Sequence, residues 1–141
     1  MLELDAWLEI AKSAALKGGK YLLENQGQEL KILLNEGRDI KLQLDTDTEK
    51  LIKDSLGSQS EFSILGEETG LSNDLGEFYW VVDPLDGTSN FLRDIPISCV
   101  SIALMQNLTP ILGVIYDFNH DDLYFGHLES KAFLNQIEIA V

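Results

Sequence analysis

The sequence predicts an α+β fold, with N-terminal helices packed on a largely antiparallel sheet. Two observations carry the prediction. Residues 4–22 place Leu4, Trp7, Leu8, Ala11, Ala14, Ala15, Gly18, Tyr21 and Leu22 at helical spacing, and from Phe62 onward the chain turns to short apolar runs separated by polar turns. That second part lacks repeated strand–helix–strand units, which favours an antiparallel sheet.

The first helix is amphipathic, and its Trp7 and Tyr21 read as core anchors. Leu30 to Leu34 reads as a strand or the end of a helix, and the cluster Asn35-Glu36-Gly37-Arg38 marks a turn. Ile40, Leu42 and Leu44 alternate with Lys41, Gln43 and Asp45 at strand period. Thr46 to Glu49 has capping-box spacing, and Leu51, Ile52 and Leu56 continue a second helix, so Asp45 stands where a strand hands over to a helix N-terminus. Strands are predicted at Ser63 to Leu65, Phe78 to Val82, Ser98 to Met105, Ile111 to Tyr116, Leu123 to Gly126 and Ile137 to Val141. Gln106 to Pro110 and Asp117 to Asp122 read as hairpin connections. Gly70 to Glu77, rich in glycine and polar residues, reads as the most flexible loop.

Composition narrows the function classes. The 141 residues, 45% of them hydrophobic, suit one domain with an ordinary core. Ten basic against twenty-four acidic residues give a net charge of −14, which opposes binding to nucleic acid or to anionic lipid. No basic start leads into an apolar signal core, and no segment is long and apolar enough to span a membrane, so a cytoplasmic protein is expected. The single cysteine, Cys99, lies in an apolar run and reads as a small buried core residue.

The chemistry concentrates in Asp83-Pro84-Leu85-Asp86-Gly87-Thr88, where the apolar run Phe78 to Val82 breaks off. Proline fixes its own φ and holds Asp83 extended, while Gly87 lets backbone approach where a side chain would block it. Gly66-Glu67-Glu68 follows the preceding apolar run, so the two acidic clusters converge if those strands are neighbours. Oxygen donors without nearby histidine or cysteine favour magnesium, manganese or calcium, with Mg2+ the expected ion. Taken alone, Asp45 reads equally as a helix cap. Asp117-Phe118-Asn119-His120-Asp121-Asp122 alternates oxygens as a calcium loop does, but lacks the later glycine and closing glutamate, so a hairpin turn is expected there. His120 and His127 flank one predicted strand and read as surface or turn residues.

These residues carry a resemblance. Gly66-Glu67-Glu68, followed by Trp80-Val81-Val82-Asp83-Pro84-Leu85-Asp86-Gly87-Thr88-Ser89-Asn90-Phe91, is similar to the inositol monophosphatase family. Asp45, Ser101-Ile102-Ala103, Gly113-Val114-Ile115-Tyr116 and Ala132-Phe133-Leu134-Asn135 extend the likeness from about residue 4 to the last residue.

The resemblance implies the first part of the layered αβαβα fold shared with fructose-1,6-bisphosphatases. It implies magnesium ligands at Glu67, Asp83, Asp86 and the Leu85 carbonyl. It implies further that Leu85, Asp86, Gly87 and Thr88 face the substrate phosphate, and that Asp45, Thr88 and Glu67 serve catalysis by in-line attack of a metal-activated water on a small phosphate monoester. Glu68 is the less secure member of its pair.

Where many members have a threonine ahead of the aspartate at 45, this chain has Leu44; an upstream lysine has no clear counterpart, since Leu34 and Asn35 occupy that neighbourhood, and Lys41 is the electrostatic substitute. The family pattern continues into a second α/β region bearing a Trp-Asp motif. The resemblance therefore implies that residues 1–141 correspond to the N-terminal, metal-binding half, and the C-terminal half is expected to be absent. Such a half is expected to expose apolar surface, with the uncharged run Cys99 to Met105 as a site of self-association, for example as a homodimer. The substrate expected is inositol monophosphate-like. Histidinol phosphate, fructose bisphosphate, adenosine bisphosphate or a non-catalytic magnesium-binding half-domain are the alternatives.

Overall fold

The computed structural model describes residues 3–28, 32–36, 39–71 and 74–140. Helix α1 spans Leu4–Asn25 and buries one stripe, Leu4, Leu8, Ala11, Ala14, Ala15, Gly18 and Leu22. Strands β1 (Ile32–Glu36) and β2 (Asp39–Leu42) form a separate antiparallel hairpin, which assigns the ambiguous segment after Leu30 to strand; Leu30, Gly37 and Arg38 lie outside the described residues. Helix α2 (Gln43–Gln59) starts directly after β2.

Then come β3 (Ser63–Gly66), β4 (Gly70–Leu71), β5 (Phe78–Asp86), a short helix α3 (Thr88–Leu92) and β6 (Cys99–Gln106). Strands β7 (Thr109–Asp117), β8 (Asp122–His127), β9 (Ala132–Leu134) and β10 (Ile137–Ile139) complete an eight-stranded sheet of order β10-β9-β8-β7-β6-β5-β3-β4. Its ladders are antiparallel apart from β3–β5, which is parallel.

The helices lie on one face of this sheet, where Trp80, Val82, Val100, Ile102, Leu104, Val114 and Tyr116 are buried. Alternation does the sorting, because successive strand residues point to opposite faces. Trp7 of α1 meets Phe62 edge-on at 5.2 Å, Phe62 stacks on Phe78 at 5.3 Å, and Trp80 donates its indole N–H to Ser60 Oγ at 2.8 Å. The other face carries Leu65, Ile115 and Tyr124, exposed by 37%, 47% and 37%, whereas the run Cys99 to Met105, expected to lie open, alternates between buried and half-buried residues. No described helix is long and apolar enough to cross a membrane.

Several expectations are corrected. The helix starts at Gln43, so Asp45 lies inside its first turn, and Thr46 to Glu49 is no capping box: Glu49 turns into the core. Gly70 and Leu71 of the expected loop pair with β3, while Ser72 and Asn73 lie outside the described residues, as does Val141 at the end of the last predicted strand. The run expected to end at Val82 continues to Asp86, and Ala132–Leu134 is an additional strand. Cys99 is half-buried, beside Asp86, where burial and that carboxylate push its thiol up to about 11. Asp117 to Asp122 is a turn, with Asp121 accepting from the Tyr116 hydroxyl at 2.7 Å and Asp117 paired with His120.

Candidate active site

The parallel pairing of β3 with β5 is what brings the two acidic clusters together. Gly66 stands opposite Val82, so Glu67 and Asp83 leave the same edge of the sheet side by side. The Glu67 N–H donates to the Val82 carbonyl at 3.1 Å, extending the ladder one residue beyond the strand.

Past Asp83 the chain bulges. Asp83 pairs with Ser101 and Asp86 with Cys99, so three steps along β5 answer two along β6. Proline at 84 fits such a place, since a bulge does not call on its missing N–H. The Leu85 side chain is buried, its N–H donates to Asp83 Oδ1 at 3.2 Å, and its carbonyl accepts from the Thr88 hydroxyl at 3.2 Å. Gly87, at φ +93°, turns the chain into α3; a Cβ there would lie 2.8 Å from the Ile97 carbonyl, so only glycine suits the position.

Asp45 reaches the site from α2. Its Oδ2 accepts from the Leu42 N–H at 3.0 Å, whereas Oδ1 is buried with no hydrogen-bond partner. The Thr88 hydroxyl, which donates to the Leu85 carbonyl, also lies close enough to this carboxylate to favour its ionised form. Burial first, then the charges of Glu68 and Glu67, push Asp45 up to about 7 against the bond from Leu42. Asp83 rises to about 8, again by burial first, then through a hydrogen bond and repulsion with Glu67 and the charge of Asp86.

Glu67, Asp83, Asp45, Thr88 and the Leu85 carbonyl are thus neighbours. Asp86 is exposed, with its Oδ2 3.9 Å from Cys99 Sγ, and stands at the rim. Among the described residues no three carboxylate, imidazole or thiol side chains close around one point. The donor set nevertheless fits a hard divalent cation: it is all oxygen, two of its carboxylates are raised toward neutrality by burial first and by neighbouring carboxylates second, and a buried oxygen stands unpartnered.

The raised values set a pH dependence. A cation binds the deprotonated carboxylates, so magnesium affinity is expected to rise between about pH 6 and pH 9, by up to about tenfold per pH unit for each proton displaced. Calorimetry in buffers of different ionisation enthalpy checks this through the protons released. The metal-free fold moves the other way: both folded values lie above the unfolded 3.8, so the contribution of these groups to stability is fullest below that value and is lost as pH rises through about 7 and 8.

Glu49 is the site residue that sequence reasoning misses. It is fully buried beneath the Gly66-Glu67-Glu68-Thr69 turn, with its carboxylate hydrogen-bonded to that turn. A charge on the apolar face of α2, between Leu44 and Asp45 before it and Ile52 and Leu56 after it, was the available sign.

Comparison with known proteins accords with this geometry. The profile of the Inositol monophosphatase family matches residues 3–141. The chain belongs to the inositol monophosphatase family.

Within this family, the fructose-1,6-bisphosphatase/inositol-1-monophosphatase of Aquifex aeolicus is 37% identical, over 100% of this chain and 54% of its own length. The fold of extragenic suppressor protein suhB from Bartonella henselae superposes with a TM-score of 0.88 at 34% identity, covering 94% of this chain and 53% of that one. Inositol monophosphatase from Anabaena gives 0.84 at 34% identity, covering 99% and 51%. The chain therefore spans about half the length of the inositol monophosphatase relatives it matches.

Proposed function

We propose that residues 1–141 form the metal-binding half of a magnesium-dependent phosphoric monoester hydrolase acting on a small, inositol monophosphate-like substrate. The observation that carries this reading is the placement of the Glu67–Asp83 pair, at adjacent ends of parallel strands, beside the unpartnered Asp45 oxygen and the Thr88 hydroxyl. Glu67, Asp83, Asp86 and the Leu85 carbonyl would hold Mg2+. Bound there, the cation supplies positive charge that reverses the sign of an acidic site toward a phosphate dianion and stabilises oxygens carrying charge in the transition state.

The chain's own residues then do the following. Gly87 and Thr88 present backbone and hydroxyl groups to the phosphate. A water seated beside the Thr88 hydroxyl attacks phosphorus opposite the ester oxygen, and its proton passes to Asp45 Oδ1. An acceptor pushed up to about 7 is well matched to proton transfer near neutral pH. The P–O bond to the alcohol breaks as the new one forms, and the released alkoxide takes a proton from solvent.

A small-molecule partner, a cytoplasmic location, no role with nucleic acid or membrane, and self-association through the face bearing Leu65, Ile115 and Tyr124 belong to the same reading. The net charge of −14 and that exposed apolar face support it. Because the chain spans half of its relatives, turnover by these 141 residues alone is expected to be weak or nil, whereas ligand capture is expected to persist.

Calorimetric titration of inositol monophosphate into the 141-residue chain, with and without magnesium, tests the reading. Binding that requires magnesium, and is absent in Asp83→Asn, is the predicted result; binding without metal, or none with it, contradicts it. Thr88→Ala is expected to keep magnesium binding and to lower any phosphate release by about 100-fold or more.

A further inference from the structure

We propose that Glu49 is the positioning residue of this site, its carboxylate fixing the turn that bears Glu67 and so holding Glu67 beside Asp83. This rests on reading the Glu67–Asp83 pair as a cation site.

A fully buried carboxylate is costly unless its oxygens are satisfied, and Glu49 accepts hydrogen bonds from one turn. Its Oε1 accepts from the Glu68 N–H at 2.8 Å. Its Oε2 accepts from the Thr69 N–H at 2.7 Å and from the Thr69 hydroxyl. Gly66 packs on the same carboxylate so closely that a Cβ would lie 2.5 Å from it. Residue 67 is thus held on both flanks, by Glu49 through the residues after it and by its own N–H on the Val82 carbonyl at 3.1 Å.

Lys53, one turn further along α2, closes the arrangement. Its ammonium lies 3.9 Å from Glu49 Oε2 and donates to Thr69 Oγ1 at 2.6 Å and to the Gly70 carbonyl at 2.9 Å. Asp45 and Glu49 are four residues apart on α2, hence on one face of it. One rigid helix therefore sets the position of Asp45 relative to Glu67, a relation that no strand pairing fixes.

Glu49→Gln keeps the side chain's shape but turns an NH2 group toward N–H donors. Magnesium affinity is expected to fall about 10- to 100-fold, as when a group orienting a metal ligand is altered. In the metal-free chain the nuclear Overhauser contact between the Glu67 and Asp83 side chains is expected to disappear. Ile52→Ala, fully buried on the same helix, is the control for general loss of stability: it should lower the thermal midpoint and leave both readouts unchanged.

Wild-type affinity and an intact Overhauser contact in folded Glu49→Gln overturn the inference. So does an Ile52→Ala chain that loses both equally. If Glu49→Gln fails to fold, Thr69→Val, which removes one donor and keeps the backbone bonds, should show a smaller loss in the same direction, and unchanged values there overturn it. Should the wild-type chain bind no magnesium, the cation-site reading fails while the Overhauser contact still decides the positioning role.

Discussion

Asp83→Asn is expected to abolish magnesium binding while making the metal-free chain more stable at alkaline pH. The wild-type carboxyl is pushed up to about 8 by burial and by its contact with Glu67, so its ionised form opposes folding above that pH. Asparagine keeps the shape and one accepting oxygen for the Leu85 N–H, and carries no charge to repel Glu67 and Asp86. Thermal melts with and without magnesium separate the two effects: magnesium should raise the wild-type midpoint and leave the variant's unchanged. A midpoint in Asp83→Asn that rises with magnesium as the wild type's does would remove Asp83 from the site. Stability given up for a binding function is the pattern anticipated where like charges are gathered.

Gly87→Ala is the second large effect. Residue 87 stands at φ +93°, and the added methyl would meet the Ile97 carbonyl at 2.8 Å and Ser98 Cβ at 3.2 Å. Backbone on one side and a strained φ on the other leave no easy relaxation. The combined cost is about 2–4 kcal/mol, read from denaturant unfolding. Magnesium affinity should fall with it, because Leu85 and Asp86 lead directly into this turn. Gly113→Ala, which meets nothing within 4 Å, is the matched control and should change stability little. Equal losses in the two variants would show that the turn at Gly87 imposes no special requirement.

Much of this was legible in the sequence, for physical reasons. The period of Leu4 to Leu22 and the alternation in the later strands reflect burial on one face, which local pattern records directly. Asp83 to Thr88 stood out because proline, glycine, two carboxylates and a hydroxyl rarely coincide without a shared geometric demand.

What escaped depends on contacts distant in sequence. The parallel β3–β5 ladder was hidden, since short apolar runs between polar turns look alike in either direction, and it is this ladder that sets Glu67 beside Asp83. The spacing of Thr46 and Glu49 suits a capping box, but the partners of Glu49 lie 19 and 20 residues away. The strand period sets Asp45 ahead of α2, whereas it lies in the first turn and accepts from the Leu42 N–H. The exposure of Asp86, at the rim near Cys99, is likewise not recorded in the local pattern.

The measurement that bears most directly on the central claim is a calorimetric titration of Mg2+ into the 141-residue chain near pH 8, alongside Asp83→Asn. Saturable binding with proton release in the wild type, and neither in the variant, is the result predicted. Absence of saturable binding by the folded wild-type chain, or equal binding by Asp83→Asn, would contradict the account.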